Sequence, residues 1–140
     1  MKPIIAFLLL AVAVTSSAAI PSAVVLPQAE IWQRQIAWSR ANPSGKVLTM
    51  TSLPEYGSGN SMRPALQPKD WMFYEAYVGQ KLKKQAVLVS LSHCKIPITH
   101  FVYDETKTHI YLTGINNRRS DGWIPKTKVM GVLVGVLRPE

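Results

Sequence analysis

Val129-Met130-Gly131-Val132-Leu133-Val134-Gly135-Val136-Leu137 is the stretch on which the fold turns. Its recurrent β-branched valines favour an extended chain packed against neighbours on a pleated surface. Two glycines inside such a run weaken a flat strand, so Gly131 and Gly135 predict bulges or close backbone approach, as strongly curved sheets and small barrels require. A closing strand of this kind needs partners, and the residues before it supply them.

Working back along the chain, residues 98–103, a polar Asp104-Glu105-Thr106-Lys107 turn and residues 108–113 read as a hairpin. Residues 86–91 (AVLVSL) form an apolar run, 71–77 (WMFYEAY) is aromatic and β-favouring, and 46–53 (KVLTMTSL) alternates. The fold class is therefore mainly β, with coiled antiparallel sheets or a small open barrel. Trp71, Phe73 and Tyr74 fit a stacking platform for single-stranded nucleic acid, but their alternation fits better a strand that packs on the core.

Residues 27–42 have a helical pattern, with Ile31, Trp32, Gln35, Ile36 and Trp38 set between polar positions and a Pro43-Ser44-Gly45 stop. The two tryptophans suit either a membrane interface or the core, and core packing is the preferred reading. Ahead of the helix, Lys2, an unbroken apolar run from Ile4 to Val14 and the small residues Thr15-Ser16-Ser17-Ala18-Ala19 read as an export signal. The run is shorter than the roughly 20 residues of a spanning helix, although adding Ala18 to Leu26 keeps an uncleaved anchor open. The organisation is thus 1–19 signal peptide or anchor, 20–45 helical segment and 46–140 a single β domain, with the chain exported to the periplasm or cell envelope.

Composition narrows the function classes. The 140 residues carry a formal charge of +8, yet the basic residues stand in ones and twos, without the block that marks a nucleic-acid partner. A solvated surface, or one facing anionic lipid, is the expectation. The single cysteine, Cys94, excludes an internal disulfide framework and any Cys/His metal spacing, so no metal and no cofactor is expected.

One loop carries chemistry: Gly57-Ser58-Gly59-Asn60-Ser61-Met62-Arg63-Pro64-Ala65-Leu66. Its glycines permit close backbone approach, Pro64 directs the exit, and Met62 and Leu66 can anchor the loop in a core. The same composition also describes an ordinary turn between strands. A serine hydroxyl needs a base within hydrogen-bond reach, and the base needs an orienting partner. Of His93, His100 and His109, His100 is the strongest candidate, because its strand neighbours would hold the ring rigidly; it shares a face with Ile98 and Val102. Cys94 with His93 or His100 is a weaker nucleophile reading.

Three ordered segments carry a resemblance. Ser61-Met62-Arg63-Pro64-Ala65-Leu66, then Ile98-Thr99-His100-Phe101-Val102, then Tyr111-Leu112-Thr113-Gly114-Ile115-Asn116-Asn117 with Asp121 and Val129-Met130-Gly131 resemble the boxes of the signal peptidase I family. Histidine in the middle box is similar to the endoplasmic-reticulum and archaeal branch. The resemblance spans about residues 56–136 and implies the signal-peptidase or LexA-like coiled β fold. It also implies serine endopeptidase activity on exported polypeptides, with cleavage after small residues and strand addition of the substrate. Carried over, Ser61 is the nucleophile, His100 the general base and Asp121 its orienting acid, with Ser58, Gly59, Asn60 and Met62 around the oxyanion and substrate. The chain departs from the family's Gly-Asp-Asn at Ile115, from its Gly-Asp pairs at Lys69-Asp70 and Gln85-Ala86, and at Phe101 and Ala65. Two alternatives stay open: a catalytically impaired member that binds peptides or joins an envelope complex, and an exported β-module that binds anionic surfaces. Oligomeric state is not legible.

Overall fold

The computed structural model describes residues 20–49, 61–117 and 119–140. The export segment, the end of the strand expected over 46–53, and Ser58, Gly59 and Asn60 lie outside the described residues. Eight strands form one sheet: β1 (Ala23–Leu26), β2 (Lys46–Thr49), β3 (Trp71–Glu75), β4 (Ala86–Val89), β5 (Ile98–Glu105), β6 (His109–Thr113), β7 (Gly122–Pro125) and β8 (Val129–Pro139). An α-helix, α1 (Gln28–Ala41), links β1 to β2. The strand order is β2-β3-β8-β4-β5-β6-β7, with β1 added in parallel to β8 and every other pairing antiparallel. The sheet is open and does not close into a barrel.

β8 is the hub, and its sequence explains why. Residues 131–137 are buried without a break, which only an apolar strand covered on both faces tolerates. β3 pairs with residues 132–137, β4 with 129–132 and β1 with 136–139. Because β4 and β1 overlap the β3 register at Val132, Val136 and Leu137, they share the edge opposite β3. Both glycines lie beside irregularities. Phe73 faces Gly135 while Tyr74 faces Leu133, leaving Val134 over; Leu88 faces Gly131 while Val89 faces Val129, leaving Met130 over. A Cβ on Gly131 would meet Tyr74 Cβ at 3.0 Å and the Glu75 carbonyl oxygen at 3.2 Å, so the close approach is real as well. A third bulge, at Tyr103, bends β5 against β6.

These bulges coil the sheet. Neighbouring strands lie about 4.8 Å apart, so β3 and β5, three steps apart, would stand about 14 Å apart in a flat sheet. Yet the hydroxyls of Tyr74 on β3 and Thr99 on β5 are 2.5 Å apart. The sheet curls until its inner face meets itself. There Tyr74, Leu88, Leu133 and Val136 pack with Met62 and Leu66 of the preceding loop.

Helix α1 covers the other face of β3 and β8. Ile31 and Trp38, two turns apart, are buried against Phe73, Val134 and Leu137, with Trp38 edge-on to Phe73 at 5.3 Å. The Asn42 backbone and side-chain N–H groups both donate to the Trp38 carbonyl, ending the helix. Trp38 belongs to the core, whereas Trp32 is 55% exposed. Phe73 and Tyr74 are fully buried and Trp71 packs against the helix-side cluster, so the aromatic run of β3 is core and not a stacking platform. Among the described residues no helix is long and apolar enough to cross a membrane.

Two carboxylates tie down the chain between strands. Asp70, fully buried, accepts Arg138 Nε at 2.7 Å and Nη2 at 2.9 Å, and its Oδ2 also accepts the Gln67 N–H at 2.8 Å. This bidentate pair fastens the loop ahead of β3 to the end of β8 and holds the Arg138 guanidinium above its ordinary pKa. Arg138→Ala leaves a buried charge unpaired, and denaturant unfolding should show a loss of about 3–5 kcal/mol.

Glu105 Oε1 accepts the Leu82 and Lys83 N–H groups, each at 2.9 Å, and its Oε2 accepts Lys126 Nζ at 2.8 Å. Desolvation pushes the Glu105 carboxyl up, but the Lys126 hydrogen bond and those two N–H groups outweigh it, and the pKa falls. A depressed carboxyl stabilises the fold above its unfolded value of about 4.3. That stability disappears as pH falls through the lower folded value. Unfolding curves from pH 6 to pH 2 should therefore show an acid-side loss in the wild type that is reduced in Glu105→Gln, which is already weaker at pH 7.

Candidate active site

The curl brings Ser61 to His100 across 39 positions of sequence. Ser61 opens a tight turn in which the Leu66 N–H donates to the Met62 carbonyl at 3.0 Å, and Met62 and Leu66 are 1% and 0% exposed. Both side chains anchor the loop as expected. Met62, also expected beside the substrate, points into the core cluster.

The loop after β6 holds Ser61 from the other side. The Asn116 N–H donates to the Ser61 carbonyl at 2.8 Å, and a Cβ on Gly114 would fall 2.8 Å from both Ser61 Cβ and the Ser61 carbonyl oxygen. Glycine at 114 is thus a packing requirement of the serine turn. Ile115 packs against the cluster containing Met62 and Tyr74.

His100 lies on β5 opposite Val87, buried to 6% exposure. Val102 on the same face is buried and Ile98 packs beside it, so the ring stands among apolar neighbours. His100 Nε2 is 3.0 Å from Ser61 Oγ, and Nδ1 is 2.5 Å from Asp121 Oδ2. A carboxylate only accepts, so Nδ1 carries the proton and Nε2 presents its lone pair to the serine O–H. Asp121 is fixed by its own N–H, which donates to the Leu112 carbonyl at 2.8 Å, and Gly122 at φ +83 then turns the chain into β7. The Asp121 and His100 side chains are 11% and 7% exposed, so water competes weakly for their bond.

The remaining candidates fall elsewhere. His93 is exposed, and His109 Nδ1 pairs with Thr108 Oγ1 at 2.8 Å on the surface. Burial raises the pKa of the Cys94 thiol and the Asp121 carboxylate raises it further, which disfavours the thiolate a cysteine nucleophile requires. Among the described residues no cluster of three or more His, Cys, Asp or Glu could hold a metal ion. Sequence reasoning missed the Asn116 N–H contact and the Tyr74 and Thr99 hydroxyls, none of which leaves a pattern that spacing can reveal.

Compared with protein-family models and with curated proteins, the chain matches none. The arrangement around Ser61 is therefore read from its own geometry. Gly114→Ala forces the 114–117 turn away from Ser61. Reactivity of Ser61 toward a fluorophosphonate should then fall at least about tenfold, measured by mass spectrometry against a variant with an exposed change such as Lys107→Ala.

Proposed function

We propose that this chain is a serine endopeptidase of the signal peptidase I type, with a coiled β domain of that family's kind. The observation that carries the reading is the unbroken chain from Ser61 Oγ through both ring nitrogens of His100 to Asp121, at 3.0 Å and 2.5 Å. Three residue types in this order, with the tautomer fixed by the carboxylate, are what nucleophilic acyl transfer requires.

In the mechanism, Ser61 Oγ attacks the scissile carbonyl while His100 Nε2 takes its proton. Asp121 stabilises the imidazolium through Nδ1–H. The tetrahedral oxyanion is held by the Ser61 backbone N–H. His100 then protonates the leaving amine, and water, activated by the same base, releases the acyl group and regenerates Ser61. Histidine suits this task because its ordinary pKa lies near neutral pH, whereas a lysine base would need burial to lower its pKa by several units. Following the resemblance, the substrate is an exported polypeptide with small residues before the cut, bound in extended form, and the enzyme works in the periplasm or cell envelope without a cofactor.

A second reading is a peptide-binding member with impaired chemistry, favoured by Ile115 in the place of an acid. Fluorophosphonate labelling and cleavage of a peptide with alanine before the scissile bond separate the two. Wild type should label at Ser61 and cut. Ser61→Ala and His100→Ala should both lose about 10⁴-fold or more in kcat, and Asp121→Asn about 10³-fold or more. A folded wild type that neither labels nor cuts sinks the peptidase reading.

A further inference from the structure

The hydroxyl pair at the point where the sheet meets itself has no part in the chemistry above, yet it stands next to it. Tyr74 is fully buried, and its ring packs in the same cluster as Met62, the neighbour of Ser61. Its phenol oxygen lies 2.5 Å from Thr99 Oγ1, and Thr99 is the neighbour of His100. The phenol O–H also lies within donating reach of Met72 Sδ, at 3.3 Å on its own strand. Thr99 alternates with His100 along β5, so the bond braces the strand from its inner face directly behind the imidazole.

Nothing in the hydrogen-bonded ladder links these strands directly, since β3 reaches β5 only through β8 and β4. The ladder permits the curl to open or tighten by small changes at each bulge. The bond between Tyr74 and Thr99 crosses the gap, beside Phe101 of β5, which packs on the same cluster as Tyr74. Burial raises the pKa of the phenol, and the hydrogen bond with Thr99 only partly opposes this.

We infer that Tyr74 is a positioning residue that, through Thr99, sets the distance between Ser61 Oγ and His100 Nε2. This rests on the peptidase reading for its effect on rate, but not for its effect on geometry. Removing the phenol oxygen keeps the ring and the packing, and lets β5 move relative to the serine loop. A shift approaching 1 Å at a proton-transfer distance lowers kcat strongly, while substrate contacts elsewhere are kept.

The test uses Tyr74→Phe, Thr99→Val, the double variant and Thr99→Ser, each checked for folding by circular dichroism at the assay temperature. With a fluorogenic peptide carrying alanine before the cut, Tyr74→Phe and Thr99→Val should each lower kcat about 10- to 100-fold with KM unchanged. The double variant should be no worse than either single. Thr99→Ser, which keeps the hydroxyl, should restore the rate. A wild-type kcat in Tyr74→Phe, a loss confined to KM, or a Thr99→Ser as slow as Thr99→Val overturns the inference. The Nδ1–H proton shared by His100 and Asp121 gives a reading independent of turnover. Its downfield NMR signal should shift or broaden in Tyr74→Phe and Thr99→Val and stay in place in Thr99→Ser. If the wild type is inert, the peptidase reading fails while this signal still decides the positioning role; an unmoved signal in both variants rejects it.

Discussion

The coil of the sheet is the constraint on which everything else depends. A flat arrangement of the same strands would leave β3 and β5 too far apart for any side chain to bridge, and the serine loop would face solvent. Three extra residues, Met130 and Val134 in β8 and Tyr103 in β5, supply the bend. Two of them are flanked by Gly131 and Gly135, and at Gly131 the missing side chain lets β8 approach β3. The sheet thereby encloses an apolar interior on one face and receives α1 on the other, and the imidazole, hydroxyl and carboxylate meet where the curl brings distant strands together.

Much of this was legible in the chain, and the reasons are local. Helix α1, the hairpin of β5 and β6, and the long β8 announce themselves through hydrophobic period and turn residues, so each was expected within a few residues of its observed ends. The glycines of β8 foretold irregular pairing. Strands β1 and β7 were not anticipated, because each is four residues long. β1 is absorbed by the apolar stretch that precedes it, and β7 starts at glycine and ends at proline. Their existence depends on partners far along the chain, which a local window does not contain. The expectation of sheets or a small open barrel gives way to one open sheet, since closure is decided by strand-to-strand geometry.

For the site, Ser61 and His100 stood out by residue type and surroundings, Asp121 only through the resemblance of the ordered segments, and the fold brings the three side chains together. The supporting contacts were hidden for a physical reason. Lys69 adopts φ 72 and Lys84 φ 65, conformations usually left to glycine, so the lysines conceal turns that a glycine would have advertised. Ile115 looked like a defect when viewed as a missing acid. In the fold it is an apolar side chain on an apolar cluster, while Asp121 meets Nδ1 of the imidazole.

The position of β8 in chain order has a further meaning for when the site comes into being. Among the described residues β3 and β4 are joined through β8, which follows both in the chain, so the ladder between the serine loop and β5 is completed by a strand made after either of them. Contacts of such long sequence separation form late in folding, after the entropy of closing large loops has been overcome. Until β8 docks, β3 therefore has no hydrogen-bonded path to β4 and β5. The geometry around Ser61 is in this sense a certificate that β8 has docked.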